Sequence, residues 1–154
     1  MTDLGRLRVA EVDLLRVRLP FVRPVRTALG ELRERDALLV HVRGADGEEG
    51  WGECSAEPEP GYWHEYTDGC EAVLRRLVVP RLDGASIAVD EVPRVAGWPM
   101  ASAAVEWAVL DALCRRAGVS AATWLGGTRT TVPATLTLGI GDDLDPAPYR
   151  FVKL

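Results

Sequence analysis

Apolar and polar residues alternate in three stretches of the first third of the chain, near residues 8–19, 36–43 and 49–54. Alternation is the pattern of a β-strand, because successive side chains point to opposite faces of a sheet. The Asp46-Gly47 pair between the last two stretches is a strong signal for a tight hairpin turn. The pattern therefore predicts a three-stranded antiparallel meander.

Two neighbouring segments are rich in turn-forming residues and are predicted to be loops. Residues 21–31 include Pro24 and Gly30, which interrupt regular structure. Residues 55–62 read Ser-Ala-Glu-Pro-Glu-Pro-Gly-Tyr, a composition typical of loops.

Helical periodicity begins after the second loop. Over residues 63–79 one set of residues, spaced at intervals that share one helix face, consists of Tyr66, Cys70, Val73, Leu74 and Leu77. Pro80 and Gly84 are predicted to close this helix. The turn-rich residues 85–96 predict one further short helix, with Asp90 as its N-cap.

The strongest helical pattern covers residues 99–117. Pro99 suits the first turn of a helix, and Gly118 is a natural C-terminal stop. The predicted buried stripe is Ala103, Trp107, Leu110 and Cys114. Trp107 is therefore expected to be buried against the sheet.

The C-terminal region has a different pattern. Residues 131–140 and residues 149–154 each predict a strand, and Asp145 followed by Pro146 predicts a helix start between them. Strand, short helix and strand are the opening of a parallel β/α unit.

Composition and charge exclude several classes of protein. The chain has 154 residues, of which 47% are hydrophobic and 27% charged, as in a folded globular domain. A net charge of −5 argues against a nucleic-acid partner, which usually requires a basic face. No apolar run approaches the ~20 residues that cross a bilayer, and the first residues lack the features of a signal peptide. A cytoplasmic protein without a membrane partner is therefore expected.

Cysteines and histidines are few. Cys54, Cys70 and Cys114 fit no zinc-binding spacing, and an odd number does not build a set of disulfides, so reduced thiols are expected. His41 and His64 are the two histidines, which makes a zinc site or a histidine-based triad hard to assemble.

The acidic residues are interpreted as structural. Glu53, Glu57 and Glu59 are taken as solvated loop side chains. Glu106 and Asp111 are five positions apart and so lie on different faces of their helix. They are expected to pair with arginine or to cap a neighbouring segment.

Several motifs occur in an order that resembles a known superfamily. They are Gly50–Cys54 (Gly-Trp-Gly-Glu-Cys), the loop at 60–65 (Pro-x-Tyr-x-x-Glu), Ala103–Asp111, Trp124–Gly127 and Tyr149–Leu154. Together they resemble the N-terminal capping domain of the enolase superfamily, muconate-lactonizing branch. Within that branch they are similar to the o-succinylbenzoate synthases and the N-acylamino acid racemases.

The resemblance implies an α+β capping domain at residues 1–127, followed by the first strands of an incomplete (β/α)8 barrel at residues 128–154. In the complete enzymes the barrel carries acidic ligands for Mg²⁺ and lysines that act as acid and base. The metal stabilises an enediolate formed when a proton leaves the carbon next to a carboxylate. No metal ligand is assigned to this chain, which is expected to bind no Mg²⁺ alone.

The resemblance also suggests site residues. Lys153, the single lysine among the 18 Lys and Arg residues, matches the first lysine of the family's Lys-x-Lys strand. Arg26 and Thr27 lie in residues 23–30 and Ser55 in residues 54–61, two segments that match the family's substrate-closing loops, and the resemblance implies that Arg26 could meet a substrate carboxylate. The alternatives are a surface lysine at a strand end and a solvated loop arginine.

Three functions remain open. The first is the N-terminal part of an Mg²⁺-dependent o-succinylbenzoate synthase of menaquinone biosynthesis, truncated and inactive alone. The second is part of an N-acylamino acid racemase or of another enolase-superfamily enzyme, and the third is a non-catalytic α+β remnant or interaction module. The expected partner of the complete enzyme is a small carboxylate substrate, and enzymes of this family are often homo-oligomers.

Overall fold

The computed structural model describes residues 3–27, 30–61, 63–138, 145, 147 and 149–153. The chain divides into two compact units, which are described separately. The first consists of Met1–Arg18 and Asp36–Gly127, and the second of Leu19–Arg35 and Thr128–Leu154. Residues 19–35 thus group with the C-terminal segment, whereas the sequence assigned them to the capping domain. The assignment of 128–154 to a barrel stays a prediction.

The sheet contains four strands in the order β3-β2-β1-β4. They are β1 (Leu7–Thr27), β2 (Gly30–Gly44), β3 (Glu49–Cys54) and β4 (Ser86–Ile87). β2 and β3 pair antiparallel, with Val40 opposite Gly52 and Val42 opposite Gly50. The predicted antiparallel sheet followed by helices is confirmed, and the short β4 is an addition that the pattern did not reveal.

The predicted irregular loop at residues 21–31 is wrong, because β1 and β2 both continue into this region. β4 pairs with β1 at Leu7 and Arg8. Farther along β1, no described strand other than β2 adjoins it. Pro20 and Pro24 can therefore be accommodated, since a proline in a strand needs a side on which no partner requires its missing N–H.

A continuous helical segment follows the loop after β3. It consists of α1 (Thr67–Val73), a π-helical turn (Leu74–Val78) and α2 (Val79–Leu82). The predicted stop at Pro80 is wrong, because this proline lies in the first turn of α2, where a missing N–H is tolerated. The helix ends at Leu82, just before Gly84, which has φ 68° and was also predicted to close it.

The π-helical turn also changes which residues are buried. Leu77 was predicted to lie on the buried stripe but is 43% exposed. Leu74 is fully buried as predicted, and Val78 and Leu82 are buried in place of Leu77. A π turn contains more residues than an α turn, so the inward-facing positions shift along the sequence.

Residues 85–96 contain a short 3₁₀ turn at Val89–Glu91 after β4. Asp90 lies inside this turn, and Ala88 occupies the capping position. The predicted N-cap is therefore wrong by two residues.

The longest helix, α3 (Pro99–Ala117), has the bounds that the sequence predicts. Pro99 stands in its first turn, and Gly118 ends it in the left-handed conformation with φ 64°. A short helix follows, α4 (Ala121–Trp124), capped by the Ser120 hydroxyl, which accepts from the Thr123 N–H at 3.0 Å.

The prediction that Trp107 is buried is wrong, since this side chain is 47% exposed. The face of α3 that meets β3 is lined by alanines, including Ala104, Ala108 and Ala112, all fully buried. The helix lies too close to the strand for an indole to fit between them.

Two glycines of β3 permit this close approach. A Cβ on Gly50 would lie 2.1 Å from the Ala108 carbonyl oxygen, and a Cβ on Gly52 would lie 1.9 Å from the Ala104 carbonyl oxygen. Both atoms belong to the helix backbone, which cannot rotate away as a side chain can. Any larger residue at either position must push α3 off the sheet.

The second unit contains a parallel pair of strands, β5 (Thr135–Thr137) and β6 (Phe151–Lys153). Both are shorter than the predicted strands, but their parallel pairing agrees with the predicted β/α unit. The Asp145 carboxylate accepts from the Ala147 N–H at 2.9 Å, whereas Pro146 lies outside the described residues.

We expect Gly52→Ala to lower the free energy of unfolding by about 1–3 kcal/mol, the usual cost of forcing extra atoms into a packed contact. Gly61→Ala is the matched control, because a Cβ there meets nothing within 4 Å. It should change stability by less than about 0.5 kcal/mol. Urea unfolding followed by circular dichroism measures both, and equal effects would contradict the contact.

Candidate functional site

The predicted site residues are distributed over both units. Ser55 belongs to the first unit, and Arg26 and Lys153 belong to the second. The side chain of Thr27 lies outside the described ones. The structure does not decide the roles of these residues, which stay predictions.

Arg26 extends from the end of β1 into solvent. Its Nε donates to Glu31 Oε2 at 3.2 Å, and the other oxygen of Glu31 pairs with Arg33 Nη2 at 2.6 Å. The guanidinium of Arg26 is mostly exposed, so this ion pair is weak and leaves N–H groups available for an anion.

Lys153 lies on β6 opposite Thr137, and its side chain is exposed. Its carbonyl oxygen accepts from the Leu138 N–H at 2.9 Å, which extends the pairing of β5 and β6 by one hydrogen bond.

Ser55 follows directly after β3, at the start of the loop that leads to α1. Its hydroxyl donates to Glu53 Oε1 at 3.4 Å. The base of this loop is closed by Thr67, whose N–H donates to the Glu57 carbonyl at 2.9 Å and whose hydroxyl lies 3.3 Å from the Ala56 carbonyl. The loop's two ends therefore run side by side on the core.

Glu65, at the end of the same loop, is a buried carboxylate that is 1% exposed. Its Oε2 accepts from the Met100 N–H at 2.9 Å and from the Ala101 N–H at 3.1 Å. These amides begin α3, whose N-cap residue, Trp98, provides no side-chain cap. Glu65 thus supplies the cap from 35 residues away, where the helix dipole also favours a negative charge.

Sequence reasoning placed Glu65 in the Pro-x-Tyr-x-x-Glu motif but gave it no role. The signal that could have revealed its burial is its position beside the apolar residues of a predicted helix. Its partner could not be identified from the sequence, because a cap ordinarily comes from the residue that adjoins the helix.

Aromatic rings hold the loop to the same end of α3. His64 lies between two indoles, with ring centroids 5.1 Å from Trp63 and 6.1 Å from Trp98. The His64 Nε2–H also donates to the Gly97 carbonyl. The loop is therefore anchored to the start of α3 by a carboxylate and by a ring cluster.

The structural roles predicted for Glu106 and Asp111 are confirmed. Arg94 Nη2 lies 3.0 Å from both oxygens of Glu106. Asp111 Oδ2 accepts from the Trp51 N–H at 3.0 Å and from Arg115 Nε at 2.9 Å. The first of these bonds satisfies a backbone amide of β3, which is an edge strand of the sheet.

Across the part of the chain that the structure describes, no three His, Cys, Asp or Glu side chains converge on a point that would hold a metal ion. The glutamates of the loop after β3 provide no such set, so the described residues do not fit Mg²⁺. In the same part of the chain, no helix is long and apolar enough to span a membrane.

Residues 9–126 match the family described as mandelate racemase / muconate lactonizing enzyme, N-terminal domain. The chain belongs to this family. Its fold is the capping-domain fold of the enolase superfamily, as the resemblance predicted.

Two curated relatives of this chain have names that refer to succinyl compounds. The N-succinylamino acid racemase of an Amycolatopsis species is 40% identical over 143 residues, and the o-succinylbenzoate synthase of Bacillus subtilis is 32% identical over 145 residues. Each alignment covers 90% of this chain and 39% of the relative. The chain thus spans about two fifths of the length of these relatives.

Solved structures agree with this family assignment. A probable mandelate racemase from Alicyclobacillus acidocaldarius is 38% identical, with a TM-score of 0.75 over 84% of this chain and 37% of that one. The muconate lactonizing enzyme of Pseudomonas fluorescens, solved with muconolactone, is 28% identical, with a TM-score of 0.77 over 88% of this chain and 38% of that one.

We expect Glu65→Ala to lower the free energy of unfolding by about 1–3 kcal/mol, because it leaves two amides of α3 without an acceptor. Glu65→Gln keeps an acceptor oxygen and should cost less. Hydrogen exchange should accelerate at Met100 and Ala101 in the alanine variant. Glu59→Ala, at an exposed loop position, is the control and should leave both measurements unchanged.

Proposed function

We propose that this chain is the N-terminal capping part of an o-succinylbenzoate synthase-like enzyme of the enolase superfamily. The observation that carries the proposal is the alignment of 86–90% of the chain with both an N-succinylamino acid racemase and o-succinylbenzoate synthases. Both names describe compounds that carry a succinyl group. The proposed substrate is therefore a small carboxylate with a succinyl chain.

The proposed reaction begins with removal of a proton from the carbon next to a carboxylate. In a synthase the resulting enediolate loses water, as part of menaquinone biosynthesis, and in a racemase it is reprotonated on the other face. Mg²⁺ would stabilise the enediolate in the complete enzyme, as the superfamily resemblance implies. The described residues provide no site for this ion, so the roles proposed for them do not involve it.

The roles proposed for this chain are binding and positioning. Arg26 pairs with a substrate carboxylate, because its guanidinium has N–H groups that Glu31 does not use. Thr27 and Ser55 donate hydroxyl hydrogen bonds to substrate oxygens. Lys153 helps set the charge state of a second motif lysine in the complete enzyme. Oligomer formation belongs to the complete enzyme as well.

Racemisation of N-succinylamino acids is the second candidate function. The 40% identity to the Amycolatopsis racemase exceeds the 32% identity to the Bacillus synthase, and this difference favours it. This difference in sequence identity is small, so both activities should be assayed in one experiment.

The decisive experiment is to sequence the gene beyond codon 154 and to express its whole reading frame. If it continues, the whole product should dehydrate the synthase substrate or racemise N-succinylamino acids, and added chelator should abolish this turnover. Residues 1–154 alone should show neither activity, since they span about two fifths of the relatives. A stop codon after residue 154 would favour the non-catalytic alternative. Turnover by residues 1–154 alone would refute the proposal that they form only the capping part of the enzyme.

In the whole product, Arg26→Ala should raise KM about tenfold, the loss expected when a charge-assisted hydrogen bond worth ~1.4 kcal/mol is removed. Arg33→Ala is the matched control, because Arg33 also pairs with Glu31 and is equally exposed. Steady-state kinetics on both variants make the comparison. Equal effects would show that the two arginines act only through the local charge.

A further inference from the structure

Two cysteines flank the loop that the proposed function assigns to substrate binding. Cys54 is the last residue of β3, and Cys70 lies in α1. Both side chains are fully buried, and both belong to the hydrophobic core. They are free thiols, as is Cys114 in α3.

The closure of the loop brings the two thiols together. The Ala56 carbonyl lies 3.3 Å from the Thr67 hydroxyl, so the chain just after Cys54 touches the chain just before Cys70. Cys54 precedes Ala56 by two residues, the spacing that shares one face of an extended chain. Cys70 follows Thr67 by three residues, the spacing of neighbours on a helix face.

Hydrogen bonds link the two thiols to the buried carboxylate of the loop. Cys70 Sγ lies 3.6 Å from Glu65 Oε2, to which its S–H donates. The same thiol is within hydrogen-bonding reach of the Cys54 sulfur. The core therefore holds a row of three groups, Cys54, Cys70 and Glu65, at the base of the loop.

The row makes the two thiols chemically unequal. When Cys54 ionises, the S–H of Cys70 can turn from Glu65 to the Cys54 sulfur, and this hydrogen bond lowers the pKa of Cys54 because it stabilises the thiolate. The pKa of Cys70 is raised by its contact with Cys54, by burial and by the nearby charge of Glu65. Cys54 is thus the better nucleophile of the pair, and Cys70 retains its proton.

We propose that Cys54 and Cys70 are a redox-sensitive pair that forms a disulfide across the base of the loop. The oxidant is a small-molecule disulfide. The Cys54 thiolate attacks one sulfur of that molecule, its S–S bond breaks, and one thiolate leaves. Cys70 then loses its proton and attacks the Cys54 sulfur, which releases the second thiolate. Two protein thiols are oxidised, and one disulfide is reduced to two thiols.

The bond would close the segment between residues 54 and 70 covalently. Glu65 would lose the hydrogen bond from Cys70 but keep the two from Met100 and Ala101, so the start of α3 stays capped. Because both sulfurs are buried, the oxidant reaches them only when the loop opens. The disulfide thus forms slowly and, once formed, opposes further opening.

The experiment uses the 154-residue chain in buffers of oxidised and reduced glutathione. The number of titratable thiols should fall from three to one, and the protein should become lighter by two hydrogen atoms. Acid proteolysis and mass spectrometry should find Cys54 joined to Cys70. Hydrogen exchange in residues 55–66 should slow in the oxidised form, which is a readout independent of any enzymatic activity.

Matched single variants identify the pair. Cys114→Ala should still lose two thiols, whereas Cys54→Ala and Cys70→Ala should form no intramolecular disulfide. Three thiols remaining at equilibrium in the oxidising buffer would overturn the proposal, as would a bond that involves Cys114 or one that forms only in denaturant. None of these results would bear on the proposed enzymatic function, which requires the whole product.

Discussion

The backbone of α3 packs against β3 at a distance that only glycine permits on the strand. The carbonyl oxygens of Ala104 and Ala108 occupy the space that side chains at Gly52 and Gly50 would need. This contact sets how far α3 lies from the sheet. It also explains why alanines line the inner face of the helix, while Trp107, the largest side chain of α3, lies on the exposed side.

The start of α3 depends on a second long-range contact, that of Glu65. A buried carboxylate is stable only where donors surround it, and here two backbone amides and a thiol do so. The same residue ends the loop that follows β3. One side chain therefore joins a helix terminus to a loop that the family resemblance associates with substrate closure, and any movement of that loop acts on the helix.

The family assignment and the proposed activity depend on different observations. The match over residues 9–126 and the shared fold establish the family. The match does not choose between the two proposed reactions, because one relative is named a racemase and the other a synthase. Fold and family therefore do not determine the reaction, because one fold can carry several activities.

The local sequence pattern determined much of the secondary structure of this protein. Alternation and turn residues predicted the antiparallel sheet, and Pro99 and Gly118 predicted the bounds of α3, because these signals act within a few residues of one another. Only the tertiary structure decided the exposure of Trp107 and the capping of α3 by Glu65. These depend on the close approach of elements that are distant in the sequence, and periodicity within one element carries no information about the partner that it meets.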